Sequence, residues 1–304
     1  MEKKLQNPIM VCILALFCCA LWGSAFPCIK IGYEWMKIKG TGSQILFAGY
    51  RFFLSGIMTF VAGCILEKRI LTMKVSSFPL ILRQGILQTT IQYVSFYIGL
   101  AHVTGTKGSI INACNAFVSI VAAHFMLKSE KMTWKKAAGC LLGVAGVIVI
   151  NMGAGAFGGG FRLMGEGMVL ISTIAYGIST VYLKKIADRE STMTITAWQI
   201  LLGSGILIAI GILLDGRVNN FTFKSTLLLI YMAMLSAVAF SIWTLLLKYN
   251  PVGKVAVYSF SVPVFGVVMS GIFLREPFLS VKNIAALILV CGGIMIVNAP
   301  GERR

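Results

Sequence analysis

Acidic residues and histidines are scarce in this sequence, and their scarcity excludes several classes of protein. The 304 residues include 10 Asp and Glu together and 2 His. No group of His and Cys has metal-ligand spacing, and no motif supplies a nucleophile with a base and an orienting group. We therefore expect no metal site, no cofactor and no enzymatic activity.

Charge of either sign is also sparse, which excludes an ordinary soluble protein. Charged residues make up 12% of the chain, against about 25% in soluble domains. Apolar runs near the ~20 residues that cross a bilayer recur from end to end. We predict an all-α integral membrane protein with ten transmembrane helices. The predicted spans are 9–31, 43–66, 78–100, 105–127, 133–152, 163–183, 193–214, 225–247, 254–274 and 280–299.

The charges that are present are mainly basic, and the net charge is +17. The basic residues lie in short gaps between apolar runs and form no stripe, so a nucleic-acid partner is not expected. Gaps on the side of the N-terminus carry more Lys and Arg than those on the other side. The positive-inside rule therefore places both termini in the cytoplasm, with the lipid bilayer around the spans.

Eight cysteines all lie inside apolar runs. We interpret them as small core residues rather than as disulfides or ligands. The first apolar run is too long for the hydrophobic region of a signal peptide and lacks a cleavage site. We therefore expect the first helix to remain in the mature protein.

The chain contains an internal repeat. The segment ALWGSAFPCIK at 20–30 is similar to IAYGISTVYLK at 174–184. Two five-helix halves are predicted, residues 1–155 and 160–304, joined by a Gly-rich link at 153–160. Because five is odd, the second half enters the membrane from the opposite side. Such inverted repeats are typical of secondary transporters, with the substrate site near the midplane.

Polar side chains recur at helical spacing in the third and fourth predicted spans. Gln84, Gln88 and Gln92 lie four residues apart, and Asn112 and Asn115 lie three apart. Unpaired amides are costly in lipid, so these side chains face protein or water. They serve either as hydrogen bonds between helices or as the lining of a wet cavity. Two amide-rich faces on adjacent helices favour the cavity.

Aromatic residues accompany these amides. Trp22, Tyr176 and Trp243 sit well inside their predicted spans, where residues of an interfacial belt are not expected. Close-packed helices are predicted at Gly139-x-x-x-Gly143, either within the fold or at a dimer seam.

Two charged residues fall within or at the edge of predicted spans. Arg51 could hold a substrate carboxylate, but the favoured interpretation is that it bonds helix-end carbonyls while its head reaches outward. Glu166 is the only acid in or beside any predicted span. It lies in a first helical turn, where a carboxylate complements the helix dipole, and this role is favoured over proton coupling.

Several segments together resemble a known family over nearly the whole chain. They are ALWGSAFPCIKIG at 20–32, YRFFLSG at 50–56, YIGLAHVTGTKGSI at 97–110, LKSEKMTWKKAAGCLLGVAGVIVIN at 127–151, GEGMVLISTIAYGISTVYLKK at 165–185, the stretch at 239–277 and LILVCGGIMIVN at 287–298. Their order and spacing resemble the drug/metabolite transporter superfamily, specifically its ten-helix EamA-type family. The loop usually written Leu-Gly-Glu in that family reads LKSE at 127–130 and LREP at 274–277.

The resemblance implies an exporter of small metabolites, commonly amino acids, in a bacterial inner membrane. Its central cavity would be formed by spans 1, 3, 4, 6, 8 and 9, with Trp22 and Ser24 in the lining. The full set of candidate cavity residues is Trp22, Ser24, Gln88, Gln92, Tyr93, Tyr97, Asn112, Asn115, Tyr176, Trp243 and Tyr258. A monomer and a homodimer both remain open.

The expected mechanism is alternating access, with the two halves rocking around a midplane site. No acid is predicted at the midplane, so we expect facilitated diffusion. The same fold could carry nucleosides, sugars or drugs. A membrane receptor or scaffold that transports nothing is the alternative from another class, and it would have no use for facing polar stripes.

Overall fold

The computed structural model describes residues 5–127, 131–151, 161–250, 255, 257–276 and 280–298, and every regular element in those ranges is helical. Ten helices follow one another there, as predicted. They are α1 (Pro8–Trp35), α2 (Thr41–Glu67), α3 (Phe78–Gly85, Ile86–Ile91 and Gln92–His102), α4 (Gly105–Met126), α5 (Trp134–Asn151), α6 (Leu163–Ile186), α7 (Thr192–Leu213), α8 (Phe223–Tyr249), α9 (Val257–Phe260 and Ser261–Leu274) and α10 (Val281–Asn298). Within the same ranges α1, α2, α4, α6, α7 and α8 are each long and apolar enough to cross a membrane. The predicted link at 153–160, residues 128–130 of the LKSE loop and residue 277 of the LREP loop lie outside the described residues.

Helix starts follow ordinary capping chemistry. The Asn7 side chain accepts a hydrogen bond from the backbone N–H of Ile9 at 2.9 Å, and Pro8 occupies the first position of α1. Thr222 and Ser225 form a reciprocal capping box at the start of α8. These caps fix where each apolar run enters the bundle.

Two of the helices that run beyond their predicted ends carry an acid there. Helix α1 continues to Trp35 and α2 to Glu67, so Glu34 and Glu67 lie in final helical turns. The expectation that Glu166 is the only acid in or beside a span is therefore wrong. Charged residues can occupy helix ends that project beyond the apolar layer, so the end of an apolar run does not mark the end of the helix.

The halves are interlocked rather than set side by side. The largest packing interfaces join α2 with α7, α3 with α6, α5 with α10, and α1 with α9, each pair taking one helix from each half. This packing leaves no simple seam between the halves.

A regular row of glycines brings α2 against α7. Gly42, Gly49, Gly56 and Gly63 recur every seventh residue, and a Cβ on each would collide with α7, its connecting loop or Leu71. Gly42 meets Leu214, whereas Gly56 meets Leu201 and Gly63 meets Met193, so the two helices run antiparallel. Helix 2 of each half thus lies beside its counterpart in the opposite direction, which confirms the inverted repeat.

Helices α5 and α10 form the second such pair. A Cβ on Gly293 would meet the carbonyl of Gly139 at 2.5 Å and the backbone nitrogen of Gly143 at 3.0 Å. Gly146 lies similarly close to Val290. The predicted small-residue contact is confirmed here as packing within the fold.

Candidate functional site

A central cavity of about 50 Å³ lies among α1, α2, α3, α4, α6, α8 and α9. These include all six helices that the resemblance implied, with Arg51 of α2 added. The lining residues are Trp22, Ala25, Phe26, Arg51, Gln92, Tyr93, Phe96, Asn112, Asn115, Tyr176, Phe240, Ser259 and Val262. Six of the eleven candidate cavity residues thus come together, and Phe26, Phe96 and Phe240 are additions.

Aromatic rings form much of the cavity wall. The Trp22 ring lies 6.3 Å from the Tyr176 ring and 5.7 Å from the Phe240 ring, measured between centroids. Across the cavity, Phe96 stands edge-on to Phe26 at 5.5 Å and to Tyr93 at 6.2 Å. Interlocking rings of this kind hold a rigid apolar surface.

Hydrogen-bonding groups in the wall lack protein partners. The indole Nε1 of Trp22 and the Oε1 of Gln92 are buried with no hydrogen-bond partner in the described part of the chain. Buried polar atoms are almost always satisfied, so each such exception calls for water or a ligand. Both residues line the cavity, so its wall contains one unpaired donor and one unpaired acceptor.

Helix α4 breaks at the cavity. Its first segment ends at Asn112 and its second begins at Asn115, with a turn at Ala113 and Cys114 between them. Cys114 N–H donates to the carbonyl of Ile111 at 3.1 Å, the tightened i→i−3 pattern of a 3₁₀ turn. Both asparagines that flank the break line the cavity.

Arg51 lies at the cavity edge and does not reach the membrane surface. Its side chain is 1% exposed, so the expected outward-reaching head is wrong. The guanidinium donates to the carbonyl of Met232 at 3.1 Å, to the hydroxyl of Tyr97 at 2.9 Å and to the hydroxyl of Ser236 at 2.8 Å. Met232 is in the body of α8 and not at a helix end.

Five candidate cavity residues lie outside the lining. Ser24 bonds the hydroxyl of Tyr231 at 2.8 Å, across the contact of α1 with α8. Tyr97 accepts from Arg51. Trp243 packs behind Trp22, with ring centroids 4.9 Å apart. The other two are Tyr258, whose backbone carbonyl accepts from Cys19 at 3.2 Å, and Gln88.

Gln88 is displaced by an irregular turn. Its Oε1 accepts from Nε2 of Gln84 at 2.5 Å, and the side chain is 3% exposed. Residues Ile86–Ile91 form a π-helical turn, which takes more residues per turn than an α-helix. The four-residue spacing therefore does not carry Gln88 and Gln92 to one face. For Gln88 the contact seen is a hydrogen bond to Gln84 within α3, and not a bond between helices.

Glu166 joins the two halves at one end of the bundle, which we call the Lys107 end. Its carboxylate, on α6, pairs with the ammonium of Lys107 on α4 and accepts from the backbone N–H of Arg162 at 2.8 Å. The Glu276 carboxylate, just after α9, accepts from the N–H groups of Gly105 and Thr106, both at 2.8 Å. A carboxylate at a helix N-terminus is favourable.

Contacts between the halves also close the opposite end, the Asn250 end. The amide of Asn250 donates to the carbonyl of Leu5 at 2.9 Å. The indole of Trp198 donates to the carbonyl of Leu71 at 2.7 Å. Contacts between the halves are therefore present at both ends of the bundle.

Comparison with known proteins decides the family. Residues 9–152, and again residues 163–299, match the EamA-like transporter family. The chain belongs to the EamA-like transporter family. The two matches correspond to the two five-helix repeats.

Relatives and a solved structure agree with this family. The chain is 28% identical to "Uncharacterized transporter YvbV" of Bacillus subtilis, covering 96% of this chain and 92% of the relative. It is 25% identical to a "Probable amino-acid metabolite efflux pump" of Salmonella typhimurium, covering 95% of each. A crystal structure with a TM-score of 0.72 and 16% identity covers 94% of this chain and 95% of its own, and shows the same fold.

Proposed function

We propose that this transporter exports small metabolites, amino acids or related compounds, by alternating access through the central cavity. The observation that carries the proposal is the central cavity itself, with aromatic walls and with Trp22 Nε1 and Gln92 Oε1 unpaired. A receptor or scaffold gains nothing from a cavity that leaves buried polar groups unsatisfied. The efflux pump of Salmonella typhimurium supports amino-acid metabolites as the first class to test.

The cavity must widen during transport. Its volume of about 50 Å³ is room for a few water molecules, whereas ligand pockets typically measure about 300–1,000 Å³. We infer that the conformation described here is closed around the site. Release of the Lys107–Glu166 pair and of Glu276 from α4 would open the Lys107 end.

Energy coupling is proposed to be facilitated diffusion. Glu166 is engaged at the Lys107 end, away from the cavity lining. Arg51 is the charged residue of the lining, and arginine stays protonated in proteins, so it cannot relay protons. Among the described lining residues, the side chains that can lose a proton are therefore the tyrosines Tyr93 and Tyr176, and none is a carboxylate or a histidine.

We place the protein in a bacterial inner membrane with both termini in the cytoplasm. The exposed loop residue Asn219, between α7 and α8, is then external. An Asn219→Cys variant in a cysteine-free chain should react in intact cells with a membrane-impermeant thiol reagent. Reaction that requires permeabilised cells would reverse the orientation.

The test of function is an efflux screen. The purified full chain is reconstituted in vesicles loaded in turn with each radiolabelled amino acid, and then with a nucleoside, a sugar and a cationic dye. Gln92→Leu removes a polar group from the cavity, and Gln88→Leu makes the same change outside it. Efflux of an amino acid that Gln92→Leu abolishes and Gln88→Leu retains supports the proposal. If only the nucleoside, the sugar or the cationic dye is exported, the proposed substrate class is wrong. If no compound is exported, the proposal of export is rejected.

A further inference from the structure

Arg51 is a buried cation without an acidic partner. The two ion pairs seen in the described ranges are Arg69–Glu67 and Lys107–Glu166, and neither involves Arg51. As the eleventh residue of α2 it lies roughly 15 Å along that helix at 1.5 Å per residue. A charge at such depth is expensive unless it is paired or serves a pathway.

Its three protein partners orient the guanidinium but do not neutralise it. The Met232 carbonyl and the hydroxyls of Tyr97 and Ser236 are all neutral acceptors. They occupy three of the five N–H donors of an arginine side chain. The Phe52 ring, with its centroid 4.7 Å from Cζ, supports the group from one side. Two N–H donors and the charge are left without a protein partner among the described residues, and an anion reaches them only when the cavity widens, because the side chain is 1% exposed here.

The rest of the lining complements an anion with an apolar body. Apart from Arg51, the lining residues are apolar, aromatic, amide or hydroxyl side chains, and none is acidic. The unpaired Trp22 Nε1 adds a second donor, and the rings of Tyr93, Phe96 and Tyr176 provide apolar surface. A substrate amine would find no carboxylate in this lining.

We propose that Arg51 recognises a carboxylate on the substrate, so that the cavity takes small carboxylic acids and amino acids in preference to amides and amines of the same shape. This inference rests on the proposed function, because it assigns the substrate class of the same cavity. Two charge-assisted hydrogen bonds from a guanidinium suit the planar carboxylate.

The test uses three probes with one carbon skeleton: 3-phenylpropionate, 3-phenylpropionamide and 3-phenylpropylamine. Their binding to the full chain in nanodiscs is followed by tryptophan fluorescence, and a Trp22→Phe variant shows whether the signal arises in the cavity. We expect the acid to bind at least about tenfold more tightly than the amide, the size of a hydrogen bond to a charged group. The amine should bind more weakly still.

Substitution of Arg51 tests the assignment further. Arg51→Gln should abolish the preference for the acid, and Arg51→Lys should retain part of it. Arg83→Gln removes the same charge from an exposed position on α3 and should change nothing. Equal affinity of the wild-type chain for acid and amide, absence of acid binding, or a preference that survives in Arg51→Gln would overturn the proposal. The wild-type comparison stands even if Arg51→Gln fails to fold.

Failure of this inference is distinguishable from failure of the transport proposal. If the acid binds in a manner that depends on Arg51 but no labelled amino acid is transported, the anion site is supported and the transport proposal is rejected. If L-phenylalanine and L-phenylalaninamide are transported equally well, the transport proposal is supported and carboxylate recognition by Arg51 is rejected.

Discussion

Breaking the Lys107–Glu166 pair should shift the protein toward the conformation that is open at the Lys107 end. The pair joins α4 of the first half to α6 of the second, and its side chains are 22% and 6% exposed. A hydrogen bond to a charged group contributes about 1.5–3 kcal/mol. If the pair exists only in the closed conformation, Lys107→Met raises the open fraction roughly 10- to 150-fold, at 1.36 kcal/mol for each tenfold change.

The assay is thiol accessibility from one side of the membrane. A Ser259→Cys reporter in a cysteine-free chain places the thiol in the cavity lining. An impermeant reagent applied at the Lys107 end should label Lys107→Met faster than the parent by a factor approaching that range. The charge-reversed pair Lys107→Glu with Glu166→Lys should restore slow labelling.

A matched control breaks an ion pair that does not link the halves. Arg69 and Glu67 are bonded at 2.6 Å, and both lie at the end of α2 within the first half. Glu67→Gln should leave the labelling rate unchanged. Unchanged labelling in a folded Lys107→Met chain would refute the role of the pair in closing this end.

Other changes test the cavity, the packing and the coupling. Gln92→Leu should abolish transport and Gln88→Leu should retain it, with transport measured per folded molecule in vesicles. Equal effects of the two substitutions would contradict the assignment of Gln92, but not Gln88, to the cavity. Gly49→Val should destabilise the chain by about 1–3 kcal/mol through overpacking against Ile208, lowering the melting temperature in detergent, whereas Gly205→Ala meets open space and should not. Glu166→Gln should keep net efflux without an imposed pH gradient; pH-driven accumulation of substrate that this variant loses would show proton coupling.

The ten helices were predictable because apolar length alone requires them. A chain that crosses a bilayer must satisfy its backbone within each span, so long apolar runs have few alternatives to a helix. The inversion also followed from an odd number of helices in each repeat. Helix ends were less predictable, as Glu34 and Glu67 show, because an end may project beyond the apolar layer.

The helices that form the cavity could be predicted from the sequence, but only some of the residues that line it could. Gln92, Asn112 and Tyr176 are polar or aromatic residues far inside their spans, and that signal marks them. Gln88 carries the same signal, but the π-helical turn at Ile86–Ile91 separates it from Gln92. A prediction that assumes α-helical spacing throughout α3 cannot include the extra residue of the π-helical turn.

Contacts between residues that are far apart in the chain have no local sequence pattern that could predict them. Glu276 sits in a loop and caps a helix some 170 positions earlier in the chain. Arg51 bonds Met232 and Ser236 on α8, so its orientation depends on how α2 packs against the other half. Such partners emerge only when the helices are assembled.

Counterflow tests the central claim most directly. Vesicles containing the full chain are loaded with an unlabelled amino acid that passes the efflux screen, and a trace of the labelled compound is added outside without a pH gradient. Alternating access predicts transient accumulation of label inside the vesicles, above its outside concentration, and its loss in Gln92→Leu. Label that only equilibrates, with or without the internal load, would contradict a carrier that works through this cavity.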